Sequence, residues 1–284
     1  MSSKNVILFF LPIVIFAAGC SPERQLASAQ KLEKKGKYYK AWGRYQEIAA
    51  NNPQSAVAPE AIFRAGWVAQ RNFDDCYMAG TFYDDILDRY PDSEPWAQVA
   101  LLQKNSCPDY FPLIAGSSWT EVDSDTKGAN ARVEILCEPS GEPRSMPGQS
   151  GKIVKNYYAG AKKSFSFEIV YKKEEHALKE YKPGQENLAI DILKWPVEVG
   201  SKWVNRVDGR AVNYEIVSIE ALVSVLAGEF TQCLHVRSYV NGDPGVKNEY
   251  YEPGIGRVLT SISSKGGEKR ITELSVYKIE DSQL

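Results

Sequence analysis

Histidine is scarce in this chain: only His176 and His235 occur among its 284 residues. His235 alternates with apolar residues on a predicted strand, and His176 lies in a charged stretch that is typical of a solvated surface. Nucleophilic sites and zinc sites combine histidine with acids or further ligands, and neither histidine has such residues at suitable spacing. We therefore expect no catalytic residues, no metal site and no cofactor, and we predict that the protein is not an enzyme.

An excess of charge of either sign is also missing. The 34 lysines and arginines nearly balance the 36 aspartates and glutamates, so the net charge is −2. A nucleic-acid-binding domain needs a basic surface, and nucleic acid is therefore not an expected partner. The chain is 43% hydrophobic and 25% charged, which is an ordinary globular composition, and its length suits about two domains.

The apolar run from Val6 to Ala18 is too short to cross a membrane as a helix. It has about thirteen residues, whereas a membrane-spanning helix needs roughly 20. A charged start at Lys4, a short apolar segment and small residues at its end are typical of a signal peptide. We therefore expect this segment to be removed on export.

The sequence AAGC, which ends at Cys20, resembles the lipobox of bacterial lipoproteins. In that family the signal peptide is cut off before the cysteine, whose thiol receives diacylglycerol, and the new amino end is then acylated. Two or three acyl chains, such as palmitate, hold a protein on a bilayer. The resemblance implies a signal peptide over residues 1–19 and lipidation of Cys20. Ser21, in place of aspartate, resembles the sorting signal for the outer membrane of diderm bacteria and implies an anchor facing the periplasm.

Residues 24–105 are rich in alanine, and their apolar residues recur at spacings of three and four, which predicts helices. This segment also repeats itself at an offset of 38 positions, as stacked helical hairpins do. Alanine lets helices approach closely, tyrosine and isoleucine follow on the same face, proline ends the helix and serine caps the next. The recurring residues are Ala41, Tyr45, Ile48, Pro53 and Ser55, which return as Ala79, Tyr83, Ile86, Pro91 and Ser93.

The stretches GKYYKAWGRYQEIAANNPQS and FYDDILDRYPDS resemble tetratricopeptide repeats of the envelope type, as found in the outer-membrane assembly lipoprotein BamD (YfiO). The resemblance implies a concave surface that binds envelope proteins or peptides. Only two hairpins and one extra helix fit, fewer than in BamD, so no binding residue is carried over; a helical spacer is the alternative. Candidates for lining a groove, or else for filling the helical core, are Tyr39, Trp42, Trp67, Phe73 and Trp96.

After residue 108 the pattern changes to short alternating runs separated by turn signals, which predicts an antiparallel β sandwich or a half-open barrel. The chain is therefore expected to be an α+β protein with a helical domain over 20–107 and a β domain over 108–284. A motif of an aromatic residue with proline, then Gly-Ser and tryptophan, occurs at 111–119 and again at 195–203. It predicts two related β units over about 111–194 and 195–280.

The stretches VSVLAGEFTQCLHV and YYEPGIGRV resemble a β-rich domain of bacterial lipoproteins and exported proteins whose role is unassigned. The resemblance informs the fold and implies no activity. Cys233 belongs to this motif, and we expect it to pair with Cys137 in the first unit. In an exported protein disulfides can form, and stacked hairpins would bring Cys76 and Cys107 to the same edge, where either a disulfide or two free thiols are expected.

The segment DSDTKGANARVE, residues 123–134, nearly matches a calcium-binding loop. Asp123, Asp125, Gly128 and Glu134 stand at the expected spacing. Lys127, however, places a positive charge at a ligand position, and the flanking residues are typical of strands. We therefore predict a hairpin turn without a metal ion.

These features lead to two functional hypotheses. The first is a lipid-anchored, periplasm-facing scaffold or adaptor that binds envelope proteins and supports the assembly of an outer-membrane or cell-envelope complex. The alternative is a carrier or sensor that binds a lipid or a glycan through the β domain, with the helical repeats as a spacer. A cavity inside the β domain would favour the second hypothesis.

Overall fold

The computed structural model describes residues 21–141 and 149–280. The predicted signal peptide and Cys20 lie outside the described residues. Within these two ranges, no helix combines the length and the apolar character needed to cross a membrane. The described chain has an α+β fold in which all helices longer than one turn precede all strands.

The amino-terminal half forms a row of helices in which each helix packs against the next and α3 also contacts α5. Asp75 caps α4, since its carboxylate accepts a hydrogen bond of 2.7 Å from the backbone N–H of Met78. The helices of the described residues are α1 (Pro22–Glu33), α2 (Tyr38–Asn51), α3 (Ala58–Asn72), α4 (Cys76–Arg89) and α5 (Trp96–Asn105).

The repeated apolar positions form the core of this helical half. Tyr45 and its counterpart Tyr83 are both 0% exposed, and the equivalent alanines and isoleucines are buried as well. Gly66 allows the close contact between α3 and α4, because a Cβ atom at this position would lie 2.8 Å from the ring of Tyr83. The hydroxyl of Tyr83 donates a hydrogen bond of 2.7 Å to Gln70 Oε1. The sequence repeat therefore corresponds to a repeated packing unit.

The second half forms one antiparallel sheet of twelve strands in the order β6-β5-β4-β3-β2-β1-β12-β11-β10-β9-β8-β7. It consists of two meanders, β1 to β6 and β7 to β12, joined through the pair β1–β12. The strands are β1 (Ser118–Asp123), β2 (Ala131–Pro139), β3 (Ser150–Ala159), β4 (Lys162–Lys173), β5 (Ala177–Tyr181), β6 (Ile190–Lys194), β7 (Lys202–Val207), β8 (Arg210–Val225), β9 (Gly228–Val240), β10 (Val246–Glu252), β11 (Gly256–Ser264) and β12 (Gly267–Lys278).

Each meander begins with the same backbone turn, at the two copies of the Gly-Ser motif. Gly116 and Gly200 have φ angles of +92° and +90°, a region that side chains with a Cβ atom rarely adopt. The N–H of Gly116 donates to the carbonyl of Cys137, and the N–H of Gly200 donates to that of Ile216, both at 2.8 Å. The repeated motif thus encodes a bend that aims the first strand of each meander along the second.

The two end strands of the sheet, β6 and β7, are joined by side chains. The amide of Asn205 donates to the carbonyl of Asp191 at 2.8 Å and accepts from the N–H of Asp191 at 3.1 Å. The indole of Trp203 donates to the same carbonyl at 2.8 Å. The single sheet is therefore curled into a nearly closed, barrel-like shape. Of the two predicted architectures, the half-open barrel describes it and the two-sheet sandwich is wrong.

The helical half is fixed to the sheet through Asp109, which lies between them. Its carboxylate pairs with Arg71 of α3 at 3.1 Å and with Lys173 of β4 at 2.7 Å. Its carbonyl accepts a hydrogen bond of 2.7 Å from the N–H of Gly254. Lys173 is 2% exposed, so the ion pair is shielded from solvent. Asp109, a single residue of the linker, therefore contacts α3, β4 and the loop that contains Gly254.

Cys76 and Cys107 form a disulfide, with their Cα atoms 5.6 Å apart. It links the start of α4 to the residues after α5 and closes a loop with a sequence separation of 31. In the chain-entropy description, a loop of this length stabilises the fold by roughly 3–4 kcal/mol. The bridge therefore links the two ends of the hairpin formed by α4 and α5, next to the start of the sheet domain.

The expected disulfide between Cys137 and Cys233 is wrong, because both thiols are free. Cys137 faces the main core of the sheet, where a Cβ atom on Gly151 would come within 2.7 Å of its sulfur. Cys233 belongs to a separate cluster of apolar residues, and its thiol lies 3.2 Å from Glu252 Oε2. Burial raises the pKa of Cys137 to about 11 and also raises the pKa of Cys233, so both remain thiols at neutral pH.

The segment that resembles a calcium loop is a hairpin turn between β1 and β2, as predicted. The carboxylate of Asp123 accepts hydrogen bonds from the backbone N–H groups of Thr126, at 2.8 Å, and Ala131, at 3.0 Å. Lys127 has a φ angle of +55°, and its ammonium lies 2.5 Å from Glu273, which is 1% exposed. The lysine at the ligand position thus neutralises a buried carboxylate of β12.

Candidate functional site

The concave face of the curled sheet encloses a cavity of about 310 Å³, which is at the lower end of the range for small-molecule sites. Both meanders contribute to its wall. Its apolar part includes Leu113, Ile135, Ile153, Ile190, Ile192 and Tyr251. Its charged part consists of Glu121, Lys155, Glu180, Lys247, Glu249 and Arg257.

Strand alternation places these side chains on the inner face, because residues two positions apart on a strand point to the same side. On β3, the inner residues are Ile153, Lys155 and Tyr157. Ile153 is 4% exposed and lies at the closed end of the cavity. Their partners on β4 are, in the same order, Ile169, Phe167 and Phe165. The inner face therefore changes from buried apolar residues, through a lysine, to aromatic residues.

The aromatic residues at the far end, Tyr157, Phe165 and Phe167, form what we call the aromatic rim. The rings of Tyr157 and Phe165 are stacked, with centroids 4.4 Å apart. Phe165 is 58% exposed and Phe167 is 36% exposed. The rim is thus an apolar surface that is open to solvent next to the charged part of the cavity wall.

Arg257 pairs with two carboxylates on the cavity wall. Its guanidinium donates to both oxygens of Glu121, at 3.0 and 2.8 Å, and to Glu249 at 2.8 Å. Lys247 contacts the same carboxylate of Glu249, also at 2.8 Å. Burial alone would raise the pKa of Glu249, but the two cations outweigh it and lower this pKa to about 2. Glu121 and Glu249 are therefore both paired with cations of the protein itself.

Lys155 differs from the other two cations of the cavity. Its ammonium has no hydrogen bond or ion pair with any residue that the structure describes, although it lies on the cavity wall. Burial and the positive charge of Arg257 lower the pKa of Lys155, and the negative charges of Glu121, Glu180 and Glu249 oppose this shift. Glu180 accepts a hydrogen bond of 2.6 Å from the hydroxyl of Tyr171. The cavity thus presents one cation whose donors are unused.

The aromatic residues predicted to line a helical groove are only partly brought together. Tyr39 is 75% exposed and stacks on Phe73, with ring centroids 4.4 Å apart, and Trp42 contacts Phe73 edge-on at 5.8 Å. Trp67 is 3% exposed and belongs to the helical core, so of the two expected roles it fills the core and does not line a groove. Trp96 is half-buried and packs against the same core. Among these five residues, the largely exposed aromatic surface is therefore that of Tyr39, whose ring stacks on Phe73.

Neither histidine lines the cavity. His235 lies on β9, where its ring stacks on Tyr250 and its Nε2 is 2.9 Å from Asn248 Oδ1. His176 is exposed between β4 and β5, beside Glu175. The two histidines therefore lie in different parts of the sheet and do not form a common site.

The charged residues of the cavity were not identified from the sequence. A signal for Lys155 was present in the stretch KIVKNYY, where strand alternation places this lysine on the same side as Ile153. A charged residue at an apolar position of a predicted strand indicates a buried site or an internal cavity. The partners of Arg257 carried no such signal, because Glu121 lies on a strand that is distant in sequence.

Comparisons with known proteins give no family for this chain. No family model matches it, and no curated protein matches it. One similar solved structure is a protein from Bacteroides fragilis, inferred to be exported and described as having a YmcC-like fold, with 16% identity and a TM-score of 0.39 over 59% of this chain and 98% of that one. Another is an inferred lipoprotein from Parabacteroides distasonis, with 15% identity and a TM-score of 0.37 over 60% of this chain and 98% of that one. Likenesses this weak do not establish a function.

Proposed function

We propose that this chain is an exported, lipid-anchored binding protein whose β domain takes up a small amphipathic molecule. The observation that carries the proposal is the cavity of about 310 Å³, in which the unpaired ammonium of Lys155 lies beside an apolar wall. Lys155 is half-buried, so its ammonium is partly removed from water without gaining a partner, and a bound anion that supplies the partner would offset that cost. An apolar wall that carries polar groups able to orient a ligand is typical of small-molecule sites.

The binding of a fluorescent amphiphile to the full-length mature protein tests this proposal. Ile192 lines the cavity and is half-buried, so Ile192→Trp is expected to fill the cavity and to weaken binding of anilinonaphthalene sulfonate at least tenfold. Val204→Trp is the matched control, because Val204 is 60% exposed on β7 and does not line the cavity. Equal affinity in the wild type and in both variants would show that the dye binds elsewhere and would contradict the proposal.

The lipid anchor is the second part of the proposal and rests on the lipobox that ends at Cys20. Cys20→Ser is expected to abolish incorporation of labelled palmitate and to leave the precursor uncleaved or the protein released from membranes. Fractionation of cells with palmitate labelling measures both effects. A Cys20→Ser protein that remains mature and membrane-bound without label would contradict the anchor. Attachment to the outer membrane, implied by Ser21, would be tested by separating the two membranes on a density gradient.

A second candidate function is that of an adaptor for envelope proteins through tetratricopeptide-like helices. It is favoured by Tyr39 and Tyr77, which are 75% and 86% exposed. They lie 38 positions apart, the offset of the repeat, and each is the second residue of its helix. Exposed aromatic residues are frequent anchors of protein interfaces.

For the adaptor function, we expect the double variant Tyr39→Ala and Tyr77→Ala to lose envelope proteins that crosslink to the wild type in solubilised membranes. Tyr277→Ala is the control, because Tyr277 is an exposed tyrosine of the sheet. The crosslinked proteins would be identified by mass spectrometry and then tested with purified components. If the double variant keeps the same partners as the control, the two tyrosines are not an adaptor surface.

A further inference from the structure

We infer that the cavity binds a single-chain amphiphile with an anionic headgroup, which is held by Lys155 while its apolar chain lies along the aromatic rim. This inference rests on the proposed function and names the ligand class of the same site. Its basis is the arrangement of charges and apolar surfaces on the inner face of β3 and β4.

The charge arrangement identifies Lys155 as the residue that meets the headgroup. Arg257 uses three hydrogen bonds on Glu121 and Glu249, and Lys247 is paired with Glu249. These cations are therefore satisfied within the protein. The ammonium of Lys155 has three donors and no partner among the described residues, so a ligand anion is the group that would complete it.

The same arrangement favours a headgroup with a single negative charge. Glu121, Glu180 and Glu249 all line the cavity, and among the described residues Lys155 is the one cation of its wall without a hydrogen bond or an ion pair. A second negative charge on the ligand would meet these carboxylates without a further free cation, and like charges repel strongly where solvent is scarce. A carboxylate is therefore expected to bind more tightly than a phosphate, although both share the anionic headgroup.

The apolar chain has a defined direction because the two ends of the inner face differ. Toward the closed end, Ile153 and Ile169 are 4% and 2% exposed and already packed against the core. Toward the open end, Phe167 lies opposite Lys155 in the strand register, and Phe165 follows it. These two rings are exposed and adjacent, and a chain laid across them would remove apolar surface from water.

Competition with the fluorescent amphiphile tests the headgroup assignment on the full-length mature protein. Dodecanoate, dodecyl phosphate and dodecanol have the same chain and differ in headgroup. We expect Lys155→Met to weaken dodecanoate at least tenfold and to change the affinity for dodecanol less than threefold. Lys182→Met is the matched control, because Lys182 is exposed beyond the end of β5, and it should bind all three compounds like the wild type.

The outcomes separate this inference from the proposed function. If Lys155→Met binds dodecanoate as the wild type does, while Ile192→Trp binds none of the compounds, the cavity is a binding site and the headgroup assignment is wrong. If none of the three compounds displaces the dye from the wild type, this inference is wrong; if the dye also binds equally to the wild type, Ile192→Trp and Val204→Trp, the proposed function is wrong as well. Tighter binding of dodecyl phosphate than of dodecanoate, lost in Lys155→Met, would support an anionic headgroup at Lys155 and overturn the preference for a single negative charge.

The position of the chain has a separate test that a folding defect would not reproduce. We expect the double variant Phe165→Ser and Phe167→Ser to weaken dodecanoate at least fivefold and to leave the affinity for acetate unchanged, because acetate has no chain that could lie on the rim. Both phenylalanines are solvent-exposed, so the fold is expected to tolerate the change. Equal loss for both compounds, or no loss for either, would overturn the placement of the chain.

Discussion

Replacing Arg257 with methionine is expected to lower the free energy of unfolding by about 3–5 kcal/mol. Arg257 holds Glu121 with two hydrogen bonds and Glu249 with one, and both carboxylates are nearly inaccessible to water. Without the guanidinium, Glu121 loses its paired cation and Glu249 retains only Lys247. Removal of one partner from a buried ion pair costs more than the pair itself contributes, because the remaining charge stays buried.

Urea unfolding followed by tryptophan fluorescence would measure the loss. The variant that combines Arg257→Met with Glu121→Gln and Glu249→Gln is the decisive control, since it removes the charges together. It should recover at least half of the stability that Arg257→Met loses. If the combined variant is less stable than Arg257→Met, the loss arises from packing of the arginine side chain and not from the uncompensated carboxylates.

Acid is expected to reproduce part of this loss in the wild type. The pKa of Glu249 lies at about 2 in the folded protein, below the ordinary value of 4.5. A carboxyl with a lowered pKa stabilises the fold above its ordinary pKa, and this stabilisation is lost as the pH falls through the folded value. Between pH 5 and pH 2 we expect this group to lose about 3 kcal/mol. Glu249→Gln should show a correspondingly flatter pH dependence over this window.

Replacing Asp109 with asparagine is expected to have the second large effect, a loss of about 3–5 kcal/mol. The substitution keeps the shape of the side chain and removes the negative charge that faces Lys173 and Arg71. Lys173 is 2% exposed, and burial already lowers its pKa, so it depends on Asp109 to remain charged. The helical half would also lose its ion pair to the sheet.

Hydrogen exchange and thermal unfolding would measure these two consequences together. Protection of backbone amides should fall at the end of α3, where Arg71 lies, and at the end of β4, where Lys173 lies. Asp84→Asn is the matched control: Asp84 pairs with Lys104 on the surface, with both side chains more than 40% exposed, and its loss should cost less than about 1 kcal/mol. If Asp109→Asn costs no more than this control, the linker does not fix the two halves.

The helical core and the starts of both meanders could be predicted from the sequence because they depend on local, repeated patterns. Tyr45 and Tyr83 recur at the repeat offset and are both buried. Gly116 and Gly200 recur in the Gly-Ser motif and adopt nearly the same φ angle. Each pattern has a physical requirement, close helix packing or a positive φ angle, that few residue types meet.

The cavity and the closure of the sheet could not be predicted because they depend on partners distant in sequence. Arg257 and Glu121 are separated by 136 positions, and no local sequence pattern predicts their contact. The amide of Asn205 joins β6 to β7. In the sequence, Asn205 is only a polar residue within a predicted strand, and nothing there indicates its partner. The predicted pairing of Cys137 with Cys233 is wrong for the same reason. The folded sheet places the two thiols in different apolar clusters, which the sequence does not indicate.

The last strand occupies the middle of the sheet. β12 (Gly267–Lys278) pairs with β1 on one side and with β11 on the other, so among the described strands it is the one that joins the two meanders. The two meanders can therefore unite only when residues 267–278 are available for pairing. Until then β1 and β11 each offer an unpaired edge, a surface with which strands of other chains can pair.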